Sequence, residues 1–208
     1  MNVELNFEME DVFIDTEPLD NKPFSPIIEI ALISNTGEIL FNEIIKPNDN
    51  AQLSDYKKNF LGFDQSKLDQ ARTIEYYRPA LIALTKNKNI CAWGKADINK
   101  LSFLKIHANY SDCCQRFSDK YGFYDRYHGN NTWVKLKDAC IEIGYDQKKA
   151  HRALPDAEAC RQVWNHLDNI NAPIAAPYKD IKNSNLVVMP NFIPGVQNNE
   201  EYDNENTI

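Results

Sequence analysis

The chain has 208 residues, 43% of them hydrophobic and 25% charged, a length for one domain with at most an appendage and a composition able to bury a core without staples. That excludes a disordered or fibrous chain. Lys and Arg number 23 against 30 Asp and Glu, a formal charge of −7, which argues against coating nucleic acid by bulk electrostatics and leaves room only for a local basic groove. The last basic residue is Lys182, and Glu200, Glu201, Asp203 and Glu205 follow it. No run approaches the ~18 apolar residues of a membrane span, and the opening MNVELNFEME carries no Lys or Arg, so neither a span nor a signal peptide is expected. Cys91, Cys113, Cys114, Cys140 and Cys160 are odd in number and form no C-x-x-C pair. They read as reduced thiols of a cytoplasmic protein.

Residues 11 to 47 read as three strands, DVFIDTE, PIIEIALIS and EILFNEIIKP, the last two joined at Asn35-Thr36-Gly37 as an antiparallel meander. From about Ser54 to Lys86 the pattern turns helical, with Leu68, Ile74, Tyr77, Leu81 and Leu84 at helical spacings. NICAW, residues 89 to 93, is a short apolar run that predicts a buried strand. A helix with Ile98, Leu101, Leu104 and Ile106 on its apolar face follows. The segment 110 to 130 is polar and aromatic and is assigned only loosely. Thr132 to Ile143 is helical and stops at Gly144, a C′ residue. Pro155 sits best in a first helical turn, which predicts a helix over 155 to 168. Beyond it, Pro173, Pro177, Pro190, Pro194 and many Asn predict an extended strap over 171–190 and an acidic, disordered tail over 191–208. Strands followed by alternating strands and helices give an α/β domain over 1–170, built on a mixed β-sheet flanked by helices.

The chemistry gathers at three places. Asp15-Thr16-Glu17 ends an apolar strand, and a period of two puts Asp15 and Glu17 on one face. A D-x-E at a strand end is common on surfaces. Here Val12, Phe13 and Ile14 precede it as in a central strand, where two neighbouring carboxylates raise each other's pKa or need a cation, with Mg²⁺ or Mn²⁺ the usual partner. Asp97 follows the NICAW strand in AWGKAD, a place where an Asp is more often a helix cap than a ligand. His151 and Asp156 fall in AHRALPDAEAC, the carboxylate favoured by the helix N-terminus and the imidazole able to accept a proton near neutral pH. Four carboxylates and one His fit a two-metal phosphoryl-transfer site in which the His takes a proton from the attacking water.

In order and local wording, FIDTE, AWGKADINKL and HRALPDAEAC resemble the three exonuclease motifs of the DEDDh 3′–5′ exonucleases. This DnaQ-like group includes the proofreading subunit of bacterial DNA polymerase III, ribonuclease T and oligoribonuclease-like enzymes. The resemblance spans about residues 11 to 168, and LGFDQSKLDQA, with Gly62, is similar to the segment that follows the family's hairpin. It implies a ribonuclease H-like fold, two divalent cations (Mg²⁺ or Mn²⁺) on Asp15, Glu17, Asp97 and Asp156, His151 as general base, and a nucleic acid with a free 3′ end as substrate. The H-x4-D spacing of His151 and Asp156 marks the His branch of the family rather than the Tyr branch. A homodimer is compatible with the family's habits.

Two departures bear on substrate. Where the family continues after D-x-E with Thr-Thr-Gly, this chain has Pro18-Leu19-Asp20, so position 18 offers no backbone N–H and Leu19 becomes a wedge against the terminal base. Trp93-Gly94 ahead of Lys95-Ala96-Asp97 is more like the exoribonucleases that process histone mRNA and small RNAs than like proofreaders, which leans towards single-stranded RNA over DNA. Thr16, Pro18, Leu19, Trp93, Phe63 and Arg152 are the expected substrate contacts, with Phe60 a further aromatic that could stack on bases and core packing the rival role for Trp93. Two other functions compete. One is a catalytically silent nucleic-acid-binding or regulatory module on the same fold; the other is an interaction domain working through the acidic tail.

Overall fold

A computed structural model describes residues 9–20, 22, 24–47, 51–102, 109–121, 123–125, 130–131, 133–169 and 186–188. The expected meander is present. Strand β1 (Glu10–Pro18) pairs antiparallel with β2 (Ile27–Ser34), and β2 with β3 (Ile39–Lys46). The helical stretch that follows is three helices rather than one: α1 (Asp55–Leu61), α2 (Gln65–Gln70) and α3 (Ile74–Thr85), with a two-residue strand β4 (Arg72–Thr73) before α3. Gly62 makes the first break. It ends α1 in the left-handed region at φ 72°, its N–H closing on the Lys58 carbonyl at 2.9 Å.

NICAW forms β5 (Lys88–Ala92), and α4 (Lys95–Ser102) follows it. The loosely assigned segment holds regular structure: β6 (Asn109–Asp112), α5 (Cys113–Tyr121) and β7 (Phe123–Asp125), with β8 (Asn130–Asn131) beyond. Helix α6 (Leu136–Glu142) starts four residues later than expected and stops before Gly144, which has φ 74° as a C′ residue should. Helix α7 (Ala153–Asp168) starts two residues earlier than expected, so Pro155 is its third residue rather than its first. A proline is still free there, because the first-turn N–H groups have no helical acceptor. Residues 186–188 of the expected strap form β9 (Leu186–Val188), which pairs antiparallel with β7. The tail, 191–208, lies outside the described residues.

The main sheet has six strands in the order β4-β3-β2-β1-β5-β6, with β5 parallel to β1 and β6 parallel to β5. Alternation along β1 divides the core. Val12 and Ile14 point towards Leu81 of α3 and Leu101 of α4, whereas Phe13 points towards α5 and α7, among Phe117, Cys160, Val163 and Trp164. Helix α7 lies close because Ala153, Ala157 and Cys160, spaced three and four apart, put small side chains against the sheet. All five cysteines are free and buried. No helix among the described residues is long and apolar enough to cross a membrane.

Candidate active site

The strand period that sends Phe13 to the α7 face sends Asp15 and Glu17 there as well. Helix α7 crosses the same face and carries Asp156 in its first turns. One ligand oxygen from each of Asp15, Glu17 and Asp156 lies within 4.8 Å of the others. The cluster is electrostatically unsettled. Burial pushes the Asp15 carboxyl well above its ordinary value, the charges of Asp97, Asp156 and Glu17 push it further, and Lys100 pulls it back. Asp156 is raised to about 7, first by burial and then by Glu17. Glu17 is also raised by burial, against the pull of Lys57. Hard oxygen donors held together against their repulsion suit a divalent cation such as Mg²⁺ or Mn²⁺.

Asp97 stands apart from the three. It is buried in the first turn of α4, near enough for its charge to raise Asp15, and it accepts a hydrogen bond from the Thr16 hydroxyl and an ion pair from Lys100 Nζ at 3.5 Å. Lys100 also donates to Thr16 Oγ1 at 3.1 Å. Thr16, expected against substrate, is therefore directed at Asp97.

His151 sits on the loop ahead of α7 in the left-handed region, φ 68°, with Lys149 two residues earlier at φ 59°. Non-glycine residues held there store strain, which recurs at functional sites. The restraint comes from Asp156, whose two oxygens each accept the His151 backbone N–H at 3.2 Å. Gln147 Nε2 donates to Asp156 Oδ1 at 2.6 Å from the other side. The exposed His151 imidazole stacks on Phe60 of α1, and Phe60 stacks in turn on Tyr56.

The remaining expected contacts have structural partners of their own. Pro18 falls at a register shift in the β1–β2 ladder, where a missing N–H costs nothing. Leu19 packs against the Ile28, Leu53, Leu61, Phe63 and Leu68 cluster, and its N–H bonds the Pro26 carbonyl at 2.9 Å. Asp20 turns inward to its own loop and accepts the Lys22 N–H at 3.0 Å. Trp93 is buried with its indole N–H on the Val134 carbonyl at 2.9 Å, and Phe63 is buried in the cluster with Leu19. Arg152 holds Glu29 through Nε at 3.0 Å to both oxygens and Nη2 at 2.6 Å, and its Nη1 reaches the Leu61 carbonyl at 3.0 Å.

Three participants escaped the sequence reading. Glu29 is 2% exposed in β2, opposite Glu17 in the register, and its Oε2 also accepts the first N–H of α7 from Ala153 at 3.2 Å. A lone acid in the apolar run IIEIALIS was the available signal. Lys57 is 6% exposed and places its ammonium 3.4 Å from Glu17 Oε2. Gln147 had no signal beyond lying four residues before His151.

A mixed sheet flanked by helices, with carboxylates converging at the end of its central strand, is the ribonuclease H-like arrangement of a nuclease. The chain belongs to the RNase_T exonuclease family, which it matches over residues 12–164. Solved structures agree on the fold. A full-length 3′-exonuclease is 20% identical with a TM-score of 0.59, the match covering 76% of this chain and 60% of that one. The nuclease domain of 3′hExo, described as a DEDDh family member bound to rAMP, is 20% identical with a TM-score of 0.58, covering 83% and 99%. Exonuclease I of E. coli, in complex with a dT13 oligonucleotide, is 12% identical with a TM-score of 0.60, covering 78% and 41%. The chain thus spans less than two thirds of the full-length 3′-exonuclease. None of the curated proteins compared is a significant match.

Proposed function

We propose that the chain is a metal-dependent 3′–5′ exonuclease that removes nucleoside 5′-monophosphates from the free 3′ end of single-stranded RNA, with DNA as the lesser substrate. The observation that carries the reading is the convergence of Asp15, Glu17 and Asp156, with the exposed His151 tied to Asp156 through its backbone N–H. Asp15, Glu17 and Asp156 would hold the divalent cations, joined by Asp97 once it turns from Thr16. Bound there, two such ions supply Lewis acidity to the phosphodiester and offset the charge of the departing 3′-oxygen. His151 accepts the proton of the attacking water, with its ring held by Phe60 and its backbone by Asp156. Pro18 and Leu19 border the terminal nucleotide, while Thr16, Trp93, Phe63 and Arg152 shape its pocket from behind.

The test is a time course with 5′-labelled single-stranded and 3′-overhang RNA and DNA in Mn²⁺, Mg²⁺ or EDTA, beside Asp15→Ala and His151→Ala. A metal-dependent ladder shortening from the 3′ end, lost in both variants, is the expected result. The faster substrate decides RNA against DNA. The second reading, a module that binds without cleaving, draws on the internal partners of Glu17 and Asp97, namely Lys57, Thr16 and Lys100. It requires retained binding with no shortening of any substrate and no thermal stabilisation by Mn²⁺.

A further inference from the structure

A buried lysine at a carboxylate site is costly unless its charge is used. Lys57 is fixed from two directions. Its backbone N–H is taken by the Ser54 hydroxyl at 3.1 Å, which caps α1, and its ammonium lies 3.4 Å from Glu17 Oε2 and 5.2 Å from the centre of the Phe60 ring. Its side chain is 7% exposed and that of Glu17 10%, so solvent screens the pair little. The ammonium of Lys100 stands against Asp97, with a side chain 25% exposed, and its charge also lowers Asp15 and Glu17. Four carboxylates (Asp15, Glu17, Asp97 and Asp156) therefore face two ammonium groups.

We propose that Lys57 is a resident counter-cation of the site, competing with a divalent ion for the Glu17 carboxylate. In the ion-free protein it keeps Glu17 paired and in place. When an ion binds, it weakens the Glu17 side of the cluster relative to the Asp15 and Asp156 side. The inference rests on the metal-dependent reading above and concerns the strength of ion binding, not the reaction.

The experiment is Mn²⁺ titration of the full chain, followed by the electron paramagnetic resonance signal of free Mn²⁺, together with melting in EDTA and in Mn²⁺. Lys57→Met removes the ammonium at similar length, and Lys57→Gln keeps a donor for Glu17 without the charge. Both are expected to bind Mn²⁺ about tenfold more tightly than the wild type, the effect of one nearby charge in a partly screened setting. Lys57→Met should also melt lower in EDTA and recover in Mn²⁺, because the ion replaces the missing positive charge on Glu17. Lys57→Gln, which retains a hydrogen bond to Glu17, gives the answer even if Lys57→Met does not fold. Equal Mn²⁺ isotherms for wild type and Lys57→Gln, with binding lost in Asp15→Asn, would overturn the role of Lys57 and leave the metal-dependent reading standing. No Mn²⁺ binding by any of these proteins would overturn both.

Discussion

The imidazole of His151 lies on the ring of Phe60, the two centroids 4.6 Å apart and the planes 30° from parallel. Phe60 comes from α1 and His151 from the loop before α7, so this contact joins two elements that β1 alone does not hold together. The histidine is exposed and its backbone is strained, which leaves the stack as the chief restraint on its ring.

Phe60→Ala should therefore lower kcat for oligonucleotide hydrolysis by about tenfold while changing KM little, since a base moved by an ångström loses its alignment more than its substrate loses binding. His151→Ala should cost roughly 10²–10⁴-fold, the range of a general base. Phe60→Leu, which keeps bulk under the ring, should fall between wild type and Phe60→Ala. Equal kcat in Phe60→Ala and wild type would remove Phe60 from the mechanism.

Arg152→Ala should act on stability before activity. Glu29 is 2% exposed, and the guanidinium is its ion-pair partner. Removing one side of such a pair leaves a buried charge without compensation, a loss of about 3–5 kcal/mol. The same carboxylate caps α7 through Ala153, so the damage should reach Asp156. Urea unfolding measures the loss. Arg152→Lys should recover only part of it, because an ammonium cannot reproduce the fork on both Glu29 oxygens and the Leu61 carbonyl.

The pH dependence follows from Asp156, whose carboxyl is raised from the ordinary 3.8 to about 7. Between those values the folded chain holds a proton that the unfolded chain has released. Its contribution to stability is complete below about pH 4 and fades as pH rises towards 7, at ~1.4 kcal/mol per unit of difference. In EDTA, the wild type should thus lose stability across that window relative to Asp156→Asn, seen as converging and crossing melting curves. Mn²⁺ affinity should run the opposite way and rise with pH up to about 7, because the ion displaces that proton. A flat Mn²⁺ affinity from pH 5 to 7 would contradict this assignment.

What the sequence revealed and what it withheld divide along physical lines. The order of β1, β2 and β3 was readable because apolar runs and a Gly37 turn act locally, and the shared face of Asp15 and Glu17 follows from the strand period alone. The start of α7 was misplaced by two residues because its first N–H is capped by Glu29, which lies 124 positions away in sequence. Lys57 sits in SDYKKNF, a segment that reads as a solvated helix face, and only the burial of Leu61 and Phe60 with Ile28 and Ile44 brings its ammonium to Glu17. Helix α5 hid behind its polar and aromatic composition, although Cys113, Cys114, Phe117, Ser118 and Tyr121 keep helical spacing on its buried face. Asp97 was legible as an acid after β5 whose charge reaches Asp15, whereas its bonds to Thr16 and Lys100 depend on how α4 packs on β1 and had no local signal.

Gly94 marks the exit of β5 towards α4 and tests how tightly Asp97 is placed. Its φ is 87°, and a Cβ added there would stand 3.3 Å from the Trp133 indole nitrogen. Trp133 is 59% exposed and free to move by a few tenths of an ångström. The backbone conformation is the larger obstacle, costing an L-residue about 1–2 kcal/mol. Gly94→Ala should therefore destabilise the chain by roughly that amount, and adding Trp133→Ala should recover almost none of it. If the double variant regained the wild-type melting point, the clash with Trp133 rather than the backbone would be what fixes glycine at this position. Because α4 begins at the next residue, strain at Gly94 should also shift Asp97 against Thr16, and kcat should fall more than the melting point alone would suggest.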